Sequence, residues 1–248
     1  MNILNRHAEA ANLLASVGHL DAMLFESLFP VSAVLKLLAF IQASPTTCED
    51  IASRSYLHEN GFWKLVLLQD PKKRWKIQLR VWDEETCRKS TESDVHDHRW
   101  DFYSRLLLGS AMHCTFWTEV DHGIRMNEYV YEPGSGVGQF RLRYRGSCMV
   151  RLLQQAILPC GACYTLRHEV LHRVKPVVVP HVTFVVQLAD ARRQTTVLRE
   201  TGGGDLPVTD PTRITPSNVQ TIIARTLAAM DSPFGANTSY LGGLSLGG

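Results

Sequence analysis

The fold assignment begins with residues 95–109, which read VHDHRWDFYSRLLLG. On a β-strand, residues two apart point to the same face, so His96 and His98 present two imidazoles to one point while Asp97 faces away. The apolar run that follows ends at Gly109, eleven residues after His98. Imidazole is a common metal ligand. The stretch therefore indicates a metal site on strands that lead to a glycine turn.

A second stretch, GACYTLRHEVLH at residues 161–172, repeats this spacing, because His172 follows Gly161 by eleven residues. The two stretches together resemble the two sequence motifs of the cupins. The resemblance implies a jelly-roll β-barrel that holds one divalent metal ion on His96, His98 and His172. Most cupins add a glutamate ligand seven residues before the first-motif glycine, and this chain has Phe102 there. The implied site is therefore a neutral three-histidine site.

Within the cupins, residues 62–188 resemble the cysteine dioxygenases and related thiol dioxygenases. The shared features are a strand that ends in Trp82, the His96-Asp97-His98 run with its apolar strand, and Leu171-His172-Arg173-Val174. The resemblance implies an iron(II) centre and oxygen chemistry. The chain departs from the family at three positions: Lys64 and Leu65 occupy the strand of the carboxylate-anchoring arginine, Gln187 lies near the tyrosine position, and Phe102 or Tyr103 lies near the crosslinking cysteine.

Short strand-like runs separated by Gly and Pro begin at about residue 61, which is typical of a β-sandwich or barrel. Apolar residues at spacings of three and four predict helices before this point, one ending near Leu28 and one from Pro30 to Ala43, with a short third from a capping box at Thr47. We predict a mainly β fold with three parts: an N-terminal helical segment (1–58), a cupin-type barrel (59–192), and a loop, helix and Gly-rich tail (193–248).

Several residues outside the triad are candidates for catalysis or substrate binding. Arg80 and Trp82 share a strand face, and a guanidinium beside a metal would anchor a carboxylate through two hydrogen bonds; Arg80 on a solvated face is the alternative. Lys64 and Gln187 are further substrate-binding candidates. Tyr103 either orients dioxygen or substrate or packs in the core. His168 is a fourth ligand, a proton shuttle or a turn histidine bonded to the backbone.

Composition narrows the class of partner and the compartment. The net charge is +2 and no long basic stripe exists, which disfavours nucleic acid as a partner. The most apolar segment, 30–43, is too short to cross a bilayer. Six scattered cysteines without a secretory signal predict free thiols and a cytoplasmic location. Monomer and homodimer both stay open.

Three functions are compatible with these patterns. The first is a mononuclear non-haem iron(II) oxygenase that uses dioxygen on a small carboxylate-bearing substrate, amino-acid-like or thiol. The second is a redox-neutral cupin enzyme, with zinc or iron, that rearranges or isomerises its substrate or forms a nitrogen–nitrogen bond in natural-product biosynthesis. The third is a non-catalytic cupin binding module. Zinc also accepts three histidines and a water, so the donor set does not choose the metal.

Overall fold

The computed structural model describes residues 2–89 and 94–232. The chain is 44% strand and 28% helix and forms a cupin-type β-sandwich of two antiparallel sheets with a C-terminal helix, so the predicted fold class is confirmed. The Gly-rich tail predicted for 233–248 lies outside the described residues.

Four helices precede the sandwich: α1 (Ile3–Ser16), α2 (Ala22–Leu28), α3 (Val31–Gln42) and α4 (Pro45–Ser53). The apolar stripe before Leu28 was predicted as one helix, but the chain breaks at Gly18, which has a φ of +77° that favours glycine. The capping box at Thr47 is also wrong. The Ser44 side chain accepts a hydrogen bond from the Thr47 backbone N–H, so α4 begins one turn earlier, with Pro45 at its first position.

Eleven strands and two further helices complete the described part of the fold. They are β1 (Tyr56–His58), β2 (Phe62–Gln69), β3 (Trp75–Trp82), α5 (Glu84–Lys89), β4 (Val95–His96), β5 (Trp100–Leu108), β6 (Ala111–Pro133), β7 (Phe140–Pro159), β8 (Cys163–Leu166), β9 (Leu171–Pro176), β10 (His181–Asp190), β11 (Thr195–Arg199) and α6 (Pro216–Asp231). Sheet A has the order β1-β2-β3-β10-β5-β8, and sheet B has the order β11-β4-β9-β6-β7.

Two long strands of sheet B replace four predicted ones. Separate strands were expected at 111–118 and 125–131 and at 139–145 and 149–156. The ladder between β6 and β7 instead continues through register shifts between Glu119 and Ile124 and between Glu128 and Tyr129. The extra residues are absorbed as bulges, which bend a strand without reversing it. Neither β11 nor α5 was predicted.

The two faces of sheet A have different roles, since side chains alternate along each strand. One face packs against the N-terminal helices in the main apolar core, where Leu65, Leu79 and Phe184 meet Phe25 and Phe29. The other face points towards sheet B and contributes polar side chains to the space between the sheets. The sandwich interior is therefore available for a site, while the helices bury the opposite face.

The C-terminal helix α6 packs against α3 and α4, so both ends of the described chain meet on the helical side. Its capping box joins Thr215 and Asn218 and begins the helix that was predicted within residues 193–248. The three-part domain division stays a prediction. None of the described helices is long and apolar enough to cross a membrane by itself. By length and composition, α2 and α3 would be so only together, and they are bent by 50° relative to each other.

Candidate metal centre

Three histidines from neighbouring strands converge between the two sheets. His96 on β4 lies directly opposite His172 on β9, and His98 follows two residues after His96. The ring centroids are 4.7 Å apart for His96 and His172, 4.9 Å for His96 and His98, and 5.0 Å for His98 and His172. One nitrogen from each ring lies within 4.8 Å of the others. The predicted triad is therefore present.

Hydrogen bonds to the backbone orient two of the rings. The Nδ1 atoms of His96 and His172 lie 2.9 Å from the carbonyl oxygens of Asp94 and Val170, respectively. A carbonyl only accepts, so each Nδ1 carries the proton and each Nε2 is left as a free ligand atom. Metal-binding histidines usually donate their second ring N–H to a carbonyl, carboxylate or water in this way. Nε2 of His98 is buried without a hydrogen-bond partner in the described structure.

The three imidazoles are held in the neutral form that a metal requires. Burial is the main cause that lowers the pKa of His96 and His98, and it lowers the pKa of His172 to about 3. The neighbouring histidines and the Arg80 cation add to the shift. Neutral rings, two fixed tautomers and an unpartnered buried nitrogen together fit a divalent metal ion.

Aromatic side chains form the wall beside the triad. The ring of Trp100 stacks on His98 at 4.0 Å, and Phe102 meets His98 edge-on at 5.3 Å. Phe102 also lies 6.3 Å from His172, in the region where a cupin glutamate would be expected. A phenyl ring contributes neither a ligand atom nor a negative charge, so the site remains neutral as the sequence predicted.

Two arginines, Arg192 and Arg199, form ion pairs with acidic residues near His96 and His98. Asp97 is buried and forms an ion pair with Arg192, whose Nε donates to the carbonyl oxygen of His98 over 2.8 Å. Arg199 on β11 donates to the Asp94 carboxylate over 2.6 and 2.8 Å. Neither arginine was predicted to belong to the site: Arg192 is the last residue of the predicted barrel, and Arg199 falls in the predicted C-terminal loop. The carboxylates that flank the histidines required cations, but nothing in the sequence identified which ones.

Arg192→Met is expected to weaken metal binding by about 10- to 100-fold, the usual effect of removing an outer-shell contact. The substitution leaves the buried Asp97 carboxylate without its cation and frees the backbone of His98. The measurement is competitive titration of the purified protein with Zn²⁺ or Co²⁺. Exposed Arg193 gives the matched control, Arg193→Met, which should bind metal normally. Equal affinities for both variants would contradict the positioning role.

A cavity of about 420 Å³ opens beside the triad. Four candidates from the sequence, Lys64, Arg80, Trp82 and Gln187, line it together with all three histidines. Trp82 and Arg80 share the inward face of β3, which excludes the solvated alternative for Arg80. Their functional roles stay predictions.

Arg80 has the most unusual environment in the cavity. Its residue is 9% exposed, and its Nε has no hydrogen-bond partner. The guanidinium carbon lies 5.5 Å from the ring centre of Phe62 and 5.7 Å from that of Phe102. No carboxylate of the described residues forms an ion pair with it. A buried cation without a counter-charge is costly, so Arg80 remains a candidate contact for an anion.

Tyr103 and His168 do not line the cavity, which corrects the placement expected for them. Tyr103 lies on the helix-facing side of β5, where it stacks on Phe25 at 5.3 Å and its hydroxyl donates to the His19 carbonyl. His168 binds the carboxylate of Asp101, with Nδ1 2.7 Å from Oδ1. The parity of β5 explains the first error, because Phe102 faces the site and its neighbour faces away.

Four cavity residues were missed: three at the junction between the predicted helical segment and the barrel, and one further along the barrel. His58, Glu59, Tyr56 and Tyr131 all line the cavity. The His58 ring stacks on Phe62 at 4.5 Å, and burial raises the pKa of Glu59 to about 7. The Asn60-Gly61 turn after His58 was the available signal for a hairpin, and it places these side chains at the cavity.

No family model matches the chain, and no curated protein matches it. Solved structures similar to it include hydroxypropylphosphonic acid epoxidase from S. wedmorenis (11% identity, TM-score 0.34, 56% of each chain covered). Others are a hydroquinone 1,2-dioxygenase with Cd²⁺ and 4-hydroxybenzonitrile (14%, 0.31, 56% of this chain and 69% of that one) and an HTH_3 family transcriptional regulator from Vibrio cholerae (12%, 0.32, 75% and 94%). The chain spans about half the length of the epoxidase chain. The function is therefore argued from the site itself.

Proposed function

We propose that the protein is a metal-dependent enzyme, a mononuclear non-haem iron(II) oxygenase that acts on a small carboxylate-bearing substrate, amino-acid-like or thiol. The observation that carries this proposal is the combination, in one cavity, of three neutral, converging imidazoles with a buried guanidinium that forms no ion pair with a described residue. The histidines supply the ligands, and Arg80 supplies the charge that would hold a substrate beside them.

His96, His98 and His172 would hold the ion. When bound to three neutral ligands, iron(II) keeps its full charge and open positions, and it supplies Lewis acidity and redox chemistry towards dioxygen. The carbonyls of Asp94 and Val170 keep two of the rings in the ligating tautomer. The protein contributes preorganised ligands rather than a negative charge.

Arg80 would bind and orient the substrate carboxylate. The rings of Phe62 and Phe102 lie close to the guanidinium and limit its access to water. An ion pair formed in such a dry setting is stronger than one at the surface. The side-chain amide of Gln78 donates to the side-chain oxygen of Gln187 over 2.6 Å, which leaves the NH2 group of Gln187 available to the same cavity. A carboxylate on Arg80 would therefore place the rest of a small molecule near the triad.

Anaerobic purification followed by metal analysis and oxygen-uptake assays tests the proposal. We expect about one iron per chain after reconstitution, since the cavity contains one triad. Oxygen uptake should depend on the added substrate in a panel of small amino acids, thiol acids and hydroxy acids, and their methyl esters should fail. A matched His96→Ala variant should be inactive. Absence of stoichiometric metal would refute the proposal.

A test of turnover without oxygen distinguishes the redox-neutral alternative from the oxygenase. If the iron- or zinc-loaded protein converted a panel substrate at the same rate under strict anaerobiosis, the oxygenase assignment would be wrong. The metal-dependent enzyme would remain. Full function of a variant with His96→Ala and His98→Ala would instead indicate a binding module.

A further inference from the structure

Two basic side chains, Lys64 and Arg80, face each other across neighbouring strands in the cavity, and burial together with the Arg80 charge lowers the pKa of Lys64 to about 7. Lys64 on β2 is the direct register partner of Arg80 on β3. Directly opposed side chains of an antiparallel pair have Cβ atoms about 5 Å apart, and like charges in this arrangement are destabilising. Among the described residues no carboxylate forms an ion pair with either one. A neighbouring anion would relieve the repulsion.

The carboxylates at the cavity wall have other partners. Asp94 accepts from Arg199, and the Glu59 carboxylate lies 4.0 Å from the same arginine. Asp97 forms an ion pair with Arg192. These acids therefore have other cations as partners, and a bound anion would supply the negative charge that no described carboxylate offers to Lys64 and Arg80 as an ion pair.

The two cationic groups lie beside different rings and define two positions. Arg80 is 5.7 Å from the centre of Phe102, which contacts His98 and His172, so the guanidinium is on the triad side. The Lys64 ammonium lies 5.5 Å from the ring centre of Tyr56, which is its register partner on β1. Burial raises the pKa of Tyr56 to about 12, so its hydroxyl stays protonated and able to donate.

We propose that the substrate carries two separate anionic groups, a carboxylate held by Arg80 beside the metal ligands and a second anionic group held by Lys64 and the Tyr56 hydroxyl. The inference rests on the proposed function for the role of Arg80 and extends it to Lys64. A dicarboxylate of three to five carbons represents this chemical class. A simple monocarboxylate would supply only one negative charge to the two basic groups.

Succinate and succinamate are the probes for this proposal, because they have nearly the same size and differ by one negative charge. A charge-assisted hydrogen bond contributes about 1.5–3 kcal/mol, which corresponds to about 10- to 100-fold in affinity. Calorimetric titration of the zinc-loaded full-length protein should therefore favour succinate by at least about tenfold. Methylphosphonate, with two charges on a single group, should bind more weakly than succinate.

Variants of Lys64 test whether this residue binds the second anionic group of the ligand. Lys64→Met should weaken succinate binding by about tenfold and leave succinamate nearly unchanged, while Lys64→Arg should retain the preference. Lys76 lines the same cavity further along β3, so Lys76→Met is the matched control and should preserve the preference. An equal loss in both Met variants would indicate the general potential of the cavity and overturn the assignment to Lys64.

The outcomes separate this inference from the proposed function. If the protein binds metal and consumes oxygen but shows no preference for succinate over succinamate, the two-anion inference fails and the oxygenase proposal stands. If metal is absent from the wild-type protein and every variant, the oxygenase proposal fails. Stronger binding of methylphosphonate than of succinate would overturn the two-position arrangement.

Discussion

His98→Ala is expected to abolish stoichiometric metal binding, with affinity reduced by at least about 100-fold, more than the loss of an outer-shell contact usually causes. Its Nε2 is buried without another partner, so this nitrogen has no evident role in the fold apart from ligation. Two histidines would remain, and they hold a divalent ion poorly when no carboxylate replaces the third ligand. The measurement is metal content after dialysis together with Co²⁺ titration by absorption.

His168→Ala is the matched control for this loss. Its imidazole binds Asp101 outside the cavity, so metal content should match that of the wild-type protein. Circular dichroism and thermal unfolding of both variants should show a folded chain. Retention of metal by His98→Ala, or its loss from His168→Ala, would show that the triad is not the metal site.

Arg80→Met is expected to stabilise the protein while eliminating anion binding. The guanidinium is buried between two phenyl rings, and burial lowers its pKa, which shows that the charged form is disfavoured there. Replacing an uncompensated buried charge with an apolar side chain of similar length should raise the free energy of unfolding by about 1–4 kcal/mol. The melting temperature should then rise by about 2–4 °C per kcal/mol for a chain of this size.

The same variant should bind succinate at least about tenfold more weakly, because one charge-assisted contact is lost. Denaturant unfolding of the metal-free protein and calorimetry of the zinc-loaded protein measure the two effects separately. Arg143→Met is the matched control, since this exposed arginine pairs with Glu132 at the surface and should change neither quantity. A destabilised Arg80→Met protein with normal succinate affinity would assign Arg80 to the fold instead.

The triad was predictable because its determinants are local. Strand alternation places His96 and His98 on one face, and the resemblance of the second stretch to the second cupin motif implied His172 as the third ligand. Side-chain parity likewise identified Arg80 from Trp82. The same parity rule should have excluded Tyr103, since Phe102 was already assigned to the site.

The remaining parts of the site depend on contacts that are distant in sequence. Arg192 and Arg199 reach the histidine strand only because β11 pairs with β4, and nothing in the local pattern around Thr195 indicates this pairing. His58 and Glu59 enter the cavity through the β1–β2 hairpin, whose first strand was assigned to the helical part of the chain. The continuity of β6 and β7 depends on bulges that absorb extra residues, and the sequence signal for a bulge resembles that for a turn.

The position of β4 also affects the order in which the site is assembled during synthesis. This two-residue strand carries His96 and lies between β9 and β11, both of which follow it by more than 70 residues in the chain. A nascent chain that has delivered the His96-Asp97-His98 run therefore has two ligands without the third and without the arginines that brace them. Metal capture should accordingly be a late event, completed only after Arg199 has left the ribosome.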